Sequence, residues 1–163
     1  MAKEIILTHG KVAIVDDDMF DFLNQWKWHY KINGNNFYAV RSIKYTNGKY
    51  DKKIIMHRFL LNVSNSRLHV DHVNNDSLDN RKINLRICTH DENLRNRKIN
   101  LNNTSGYKGV YWHKIGKKWA SVIGINKKII YLGLFIDAKD AARAYNAAAL
   151  KYHGEFANLN KID

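Results

Sequence analysis

The sequence predicts an α+β protein built from small antiparallel sheets, and three observations carry that reading. Short β-branched and aromatic runs are punctuated by Asn33-Gly34 and Asn47-Gly48, both hairpin-turn signals. A strand–loop–strand–helix pattern occupies the middle of the chain, with Thr89 and Glu92 at capping-box spacing. Near the end, three more strand-like runs precede an alanine-rich segment of helical spacing, which predicts a three-stranded antiparallel sheet packed on one helix. A chain of 163 residues holds one medium domain or two small modules, each with a modest core.

Taken in order, "VDDDMFDFLNQW" reads as a short helix, with an aspartate near its start to cap it and to favour the positive end of the dipole. The run Asp16-Asp17-Asp18 also offers carboxylates to a cation, but capping is the preferred reading. "WKWHYKI" and "NFYAVRSIKY" are strand candidates. In the middle, "LHVDH" reads as a strand, "NNDSLDNRKI" as a polar loop and "NLRIC" as a second strand, followed by the helix "HDENLRNRK". "INLNNTSG", residues 99–106, is a polar link. Then "GVYWH", "KWASVIGIN" and "KIIYLGLF" form a meander, with a tight connection at Asn126-Lys127-Lys128. Asp137 caps the last helix, which ends at Gly154, with Ala141, Tyr145, Ala148 and Tyr152 on one stripe. The expected sections are 1–61, β-rich; 62–98, the central pattern; 99–106, a linker within the basic stretch; and 107–163, sheet plus helix.

Charge narrows the function. Lys plus Arg number 27 against 15 acids, a net +12. From Asn93 to Ile136 there are nine basic residues (Arg95, Arg97, Lys98, Lys108, Lys114, Lys117, Lys118, Lys127, Lys128) and no acid. A long positive field with interleaved aromatics suits a polyanion. A membrane surface fits poorly, because no helix sets a lysine face against a bulky apolar one. Cys88 is the single cysteine, so no intramolecular disulfide forms. No signal peptide opens the chain and no apolar run approaches membrane-spanning length, so a cytoplasmic setting, in a bacterial or phage-infected cell, is expected.

The central segment carries chemistry. Hydrolysing a phosphodiester requires a base to deprotonate water and a means of stabilising charge on the leaving oxygen. Histidine suits the first task, because its pKa lies near neutrality. A hard divalent cation held by oxygen ligands suits the second. Asp71 offers a carboxylate and Asn93 an amide oxygen; His72, adjacent to Asp71 on a strand, points to the opposite side. Asn84, at the close of the loop, can bond the backbone and hold His72 in place.

On the stretches "MHRFLL" (56–61), "VDH" (70–72), "LDNRKINLR" (78–86) and "NLRNRK" (93–98), the segment resembles the HNH endonucleases of the homing type, with their ββα-metal fold. The resemblance implies that Asp71 and Asn93 ligate a divalent metal, Mg2+ or else Mn2+, that His72 is the general base, and that Asn84 is the loop-fixing asparagine. Asn93 stands where other members carry histidine, and still offers an oxygen. Arg58 is a candidate phosphate contact, and His57 is as readily structural. Some relatives hold a structural zinc with two cysteine pairs; with Cys88 alone, no such zinc is expected. A site from His57, His69, His90 and Cys88 is disfavoured by its irregular spacing.

Residues 105–160, through "GYKGVYWHK", "GKKWASVIGI", "YLGLF" and "DAKDAARAYNAAALKYHGEFANLN", resemble the APETALA/ethylene-response-factor type of DNA-binding domain. That family lays its sheet in the major groove. Alternation places Trp119, Ser121, Ile123 and Ile125 on the helix side and Ala120, Val122 and Gly124 toward DNA, where the family usually has charged residues. Tyr111, His113 and Tyr131 remain candidates for groove contact, and Lys108, Lys117, Lys118, Lys127 and Lys128, with Arg95, Arg97 and Lys98, for phosphates. The expected protein is thus a monomeric, metal-dependent endonuclease of homing or mobile-element type on double-stranded DNA, with no small-molecule cofactor. The rival is a DNA-binding regulator with an inactive nuclease remnant; an RNA-binding protein fits the charge but not the duplex-reading resemblance.

Overall fold

The computed structural model describes residues 1–34, 36–44 and 51–162, and among these described residues short strands pair into four small antiparallel sheets accompanied by four α-helices. The Asn47-Gly48 turn lies outside the described residues. By backbone proximity the chain divides into two compact units, Met1–Asn93 and Leu94–Asp163. No helix among the described residues is long and apolar enough to cross a membrane.

The first unit opens with a hairpin of β1 (Ala2–Ile6) and β2 (Val12–Asp16), which the sequence reading did not contain. Helix α1 (Asp17–Asn24) follows, with Asp16 at its N-cap position. The expected cap bond does not form. The Asp16 carboxylate instead accepts from the Lys82 amide at 2.7 Å, and Asp17 and Asp18 supply the negative charge of the first turn. Next come β3 (His29–Asn33), β4 (Asn36–Lys44) and β5 (Asp51–Ile55), in the sheet order β3-β4-β5. Asn33 pairs with Asn36, and Gly34 carries φ of 59°, as the Asn-Gly signal requires. Helix α2 (Met56–Leu60) leads to β6 (His69–His72) and β7 (Leu85–Cys88), an antiparallel pair, and then to α3 (His90–Arg95).

Burial explains why these pieces cohere. Ile5, Ala13, Val15, Leu23, Trp28 and Met56 form the core, with Leu78 from the loop between β6 and β7 packed against it. The Trp28 indole N–H is satisfied inside that core by Leu23 O at 2.9 Å. At the start of α3 the capping box forms. Glu92 Oε2 accepts from the Thr89 amide at 2.7 Å, and the Glu92 amide donates to Thr89 Oγ1 at 3.3 Å. The helix stops at Arg95, three residues short of the expected Lys98.

In the second unit, β8 (Val110–His113), β9 (Lys118–Ile125) and β10 (Lys128–Phe135) make a meander backed by α4 (Ala138–His153). Asp137 Oδ1 accepts from the Lys139 amide at 2.7 Å, the cap that the sequence predicts. Asn126 and Lys127, both with positive φ, form the two-residue turn between β9 and β10. Ile123 packs on Tyr145, Ala148 and Ala149, and Trp119 packs with Val110, Ala141 and Ala142, so the inner face is the one that alternation assigns. Two details differ from expectation. Tyr152 is 40% exposed, and His153 takes its place on the buried stripe, its Nε2 3.0 Å from Gly124 O. Ala120 is fully buried although it lies on the outer face, because Tyr111 and Leu134 flank it in register and cover it. The expected polar link is not a bare spacer either, since Ser105 Oγ donates to Val110 O at 2.8 Å and the Gly106 amide to Asn103 Oδ1 at 2.8 Å.

Candidate functional site

The candidate residues gather on the β6–β7 hairpin. In its antiparallel register Asp71 faces Arg86, and His72 faces Leu85. His69, Asp71, Arg86 and Cys88 therefore share one face, and Val70, His72, Leu85 and Ile87 the other. Helix α3 starts two residues after β7, and its first turn lies beside His69 and Cys88 of this face. Cys88 lies within reach of both the Asp71 carboxylate and Glu92 in the first turn of α3, and the rings of His69 and His90 are 5.2 Å apart. Burial, with those two carboxylates, pushes the Cys88 thiol up to about 11.

His72 ends β6 on the opposite face, 6% exposed. Its ring meets His57 of α2 edge-on at 5.1 Å, and the Tyr38 ring of β4 lies 5.2 Å from His57. Burial lowers the His72 pKa, against the opposing pull of Asp71, Asp76, Asn80 and Asp79, so the imidazole is neutral at pH 7. His57 is pushed down to about 3, first by burial and then by His72 and Arg58. His57 thus sits apart from His69, His90 and Cys88, which belong to the other face.

The loop joining β6 to β7 is held from within. Asn84 accepts from the Asn74 amide at 2.9 Å and donates to Asp79 O at 2.7 Å, tying both halves of the loop together. Asp79, 1% exposed, takes the Arg81 guanidinium at 2.6 Å and the Asn74 side-chain amide at 2.9 Å; hydrogen bonding by Arg81 holds its carboxyl below the usual range. The loop is also held from outside. The Ile14 amide of β2 donates to Leu78 O at 2.9 Å, and the Asn80 amide returns to Ile14 O at 2.7 Å. Asp79, Asn80 and the edge of β2 are what the sequence reading missed. The "LDN" triplet, two of whose residues are buried polar ones, was the available signal.

Several candidates turn out to be engaged elsewhere. Arg58, a candidate phosphate contact, is half-buried. Its guanidinium donates to Leu68 O at 2.7 Å and Asn65 O at 2.8 Å, fixing the approach to β6. Lys108 is likewise turned inward, its ammonium 2.6 Å from Arg95 O and 2.7 Å from Arg97 O, and burial pushes its pKa down to about 8. It satisfies carbonyls at the end of α3 that have no intrahelical donor. His113 Nδ1 accepts from the Gly116 amide at 3.0 Å and so shapes the β8–β9 turn. Arg97, Lys98, Lys117, Lys118, Lys127, Lys128, Tyr111 and Tyr131 remain exposed, with Arg95 half-buried.

A divalent cation is testable against this donor set. Among the described residues, no group of three or more His, Cys, Asp or Glu side chains is placed to hold a metal. One carboxylate and one amide oxygen do match a small hard cation, which completes its shell with water and substrate phosphate. Asn93 is half-buried on α3, and Asp71 is 5% exposed. Its Oδ2 accepts from Arg86 at 2.8 and 2.6 Å, an ion pair that the sequence reading did not contain.

In an alignment of 162 positions that takes in 94% of its length, the chain is 31% identical to an uncharacterized HNH endonuclease of Acanthamoeba polyphaga mimivirus, and covers 77% of that protein. The chain belongs to the HNH endonuclease family. A shorter likeness accompanies this one. Fifty-nine residues, 35% of this HNH protein, are 44% identical to APETALA2-like protein 2 of Oryza sativa subsp. indica, covering 13% of it. A stretch of equal length is 41% identical to the AP2-like ethylene-responsive transcription factor TOE2 of Arabidopsis thaliana, covering 12% of it. Both resemblances read from the residues are thereby found again. No family model matches the chain, and no solved structure matches it.

Proposed function

We propose that this HNH protein is a metal-dependent DNA endonuclease of homing or mobile-element type, whose C-terminal unit holds the duplex. The observation that supports it best is the arrangement around β6: a neutral imidazole on one face, a buried carboxylate on the other, and Asn84 fixing the loop between them. In this reading β6, β7 and α3 act as a ββα-metal core. Asp71 and Asn93 hold Mg2+, with Mn2+ able to replace it. The cation, when bound, supplies stabilisation of the charge that develops on the leaving oxygen. His72 accepts the proton of the attacking water, a role for which its lowered pKa leaves it unprotonated at pH 7. Asn84 acts through the loop backbone, keeping His72 at the end of its strand. Arg97, Lys98, Lys117, Lys118, Lys127 and Lys128 supply phosphate contacts.

The Arg86 bond to Asp71, with only 6% of His72 exposed, favours the rival of a DNA-binding regulator with an inactive remnant. Conversion of supercoiled plasmid to nicked or linear form, with Mg2+ and with chelator, separates the two. Cleavage that the chelator stops, and that His72→Ala slows by about 10²- to 10⁴-fold while DNA binding holds, supports the nuclease. Binding without cleavage in either Mg2+ or Mn2+ supports the regulator.

A further inference from the structure

The outer face of the β8–β10 sheet carries an unusual surface for a strongly basic protein. α4 covers the other face, so this one is open. Cross-strand pairs set Tyr111 beside Ala120 and Leu134, Val122 beside Tyr131, and Gly124 beside Ile129. Ala120 is sealed beneath its neighbours, so the accessible groups are Ile129 (77% exposed), Tyr131 (54%), Tyr111 (45%) and Leu134 (38%). None of these positions carries a guanidinium, carboxylate or side-chain amide. Lysines stand at both ends of the central strand, Lys117 just before it and Lys118 at its first position, Lys127 and Lys128 after it. The whole stretch from Asn93 to Ile136 holds no acid. An apolar strip with cationic ends and no negative charge complements a groove walled by phosphates better than it complements another apolar protein face.

Major-groove edges present hydrogen-bonding groups at every base, but one apolar group only, the 5-methyl of thymine. Guanine is ordinarily selected by an arginine or lysine fork and adenine by an amide; this face has no arginine and no amide, and its lysine, Lys118, stands at the first position of β9 rather than among the apolar groups. We propose that the outer face of this sheet selects thymine-bearing duplex DNA by packing Tyr131, Leu134 and Ile129 against thymine 5-methyl groups, while the flanking lysines hold phosphates. This rests on the reading above that the C-terminal unit binds duplex DNA, and it adds a base preference which that reading does not contain.

Replacing thymine by deoxyuridine removes the methyl and leaves every hydrogen-bonding group in place. Fluorescence anisotropy of the full chain, with chelator to prevent cutting, compares an A·T-rich duplex with its deoxyuridine counterpart, and a G·C duplex with one carrying 5-methylcytosine. The expected result is weaker binding without the methyl, by about fourfold for each methyl buried, and tighter binding to the methylated G·C duplex. The double variant Ile129→Ser/Leu134→Ser, both positions being exposed, should erase these differences with the salt dependence unchanged and the helix content by circular dichroism retained. Equal affinity for thymine and deoxyuridine duplexes, with binding otherwise intact, overturns the methyl readout and leaves the DNA-binding reading standing. Failure to bind any duplex overturns both. Concentration-dependent dimerisation that the same double variant abolishes, with no methyl effect, assigns the face to a second copy of the chain and overturns the proposal.

Discussion

Stability in acid provides a sharp test of how the His57–His72 pair is built. His57 is 6% exposed and its pKa is pushed from 6.5 down to about 3, with burial the largest cause. A folded-state pKa below the unfolded value means that the unfolded chain takes up the proton first. This group's contribution is therefore complete above pH 6.5, declines as pH falls toward 3, and is lost below that. Each unit of separation corresponds to about 1.4 kcal/mol. At about pH 4.5, two units below the unfolded value, the fold should have lost about 3 kcal/mol through His57 alone. His57→Phe keeps a ring between Tyr38 and His72 but cannot titrate. Urea unfolding at about pH 7 and pH 4.5, followed through the Trp28 indole N–H signal that reports the Met1–Asn93 unit, should show the parent losing about 3 kcal/mol more than the variant. His72, whose pKa is also lowered by burial, contributes to both proteins and largely cancels in the comparison. His57→Gln serves as a second non-titrating control should the phenyl ring pack badly. Parallel losses in parent and both variants would refute the buried neutral imidazole.

Asn84→Ala removes one buried and one part-buried hydrogen bond and strands the buried Asp79 carbonyl, so urea unfolding should show a loss of about 1–3 kcal/mol, with plasmid cleavage falling alongside it. Gly109 carries φ of 75°, and a Cβ there would stand 2.1 Å from Tyr145 Cδ2 and 2.6 Å from Val122 O. Gly109→Ala should therefore cost on the order of 3 kcal/mol or more and abolish the ordered amide spectrum of the second unit, and a variant with a native spectrum would contradict this packing. Lys117→Ala/Lys118→Ala should reduce the slope of log affinity against log salt by about two, equally on unrelated duplexes. Lys108→Met should lower thermal stability and leave that slope unchanged, because its ammonium is spent on Arg95 O and Arg97 O.

What the sequence determined by itself is what lies close along the chain. The Thr89–Glu92 box, the Asp137 cap, the Asn33-Gly34 turn and the alternation of β9 each depend on residues a few positions apart, and each is found where the pattern puts it. The four motif residues were legible for the same reason, since Asp71, His72, Asn84 and Asn93 all fall within twenty-three residues of chain. Helix ends and faces were less so. The stop at Arg95 and the exchange of Tyr152 for His153 depend on which carbonyl or core atom the side chain finds, beyond what helical periodicity specifies.

Tertiary structure alone decided what surrounds the motif. The β1–β2 hairpin was missed because its importance lies in a distant partner: its second strand grips the loop at Leu78 and Asn80, and Asp16 reaches the amide of Lys82, 66 residues away. The charges of Arg58, Lys108 and Arg86 are plain in the sequence, but their use is not. Folding brings each beside a partly buried acceptor, namely the Leu68 carbonyl, the Arg95 carbonyl at the end of α3, and the Asp71 carboxylate. A buried acceptor left unpaired costs more than an exposed cation gains in solvent, so these three side chains turn inward while Lys117 and Lys127 stay out. Composition sets how many cations the protein has; only the packing determines which of them remain at its surface.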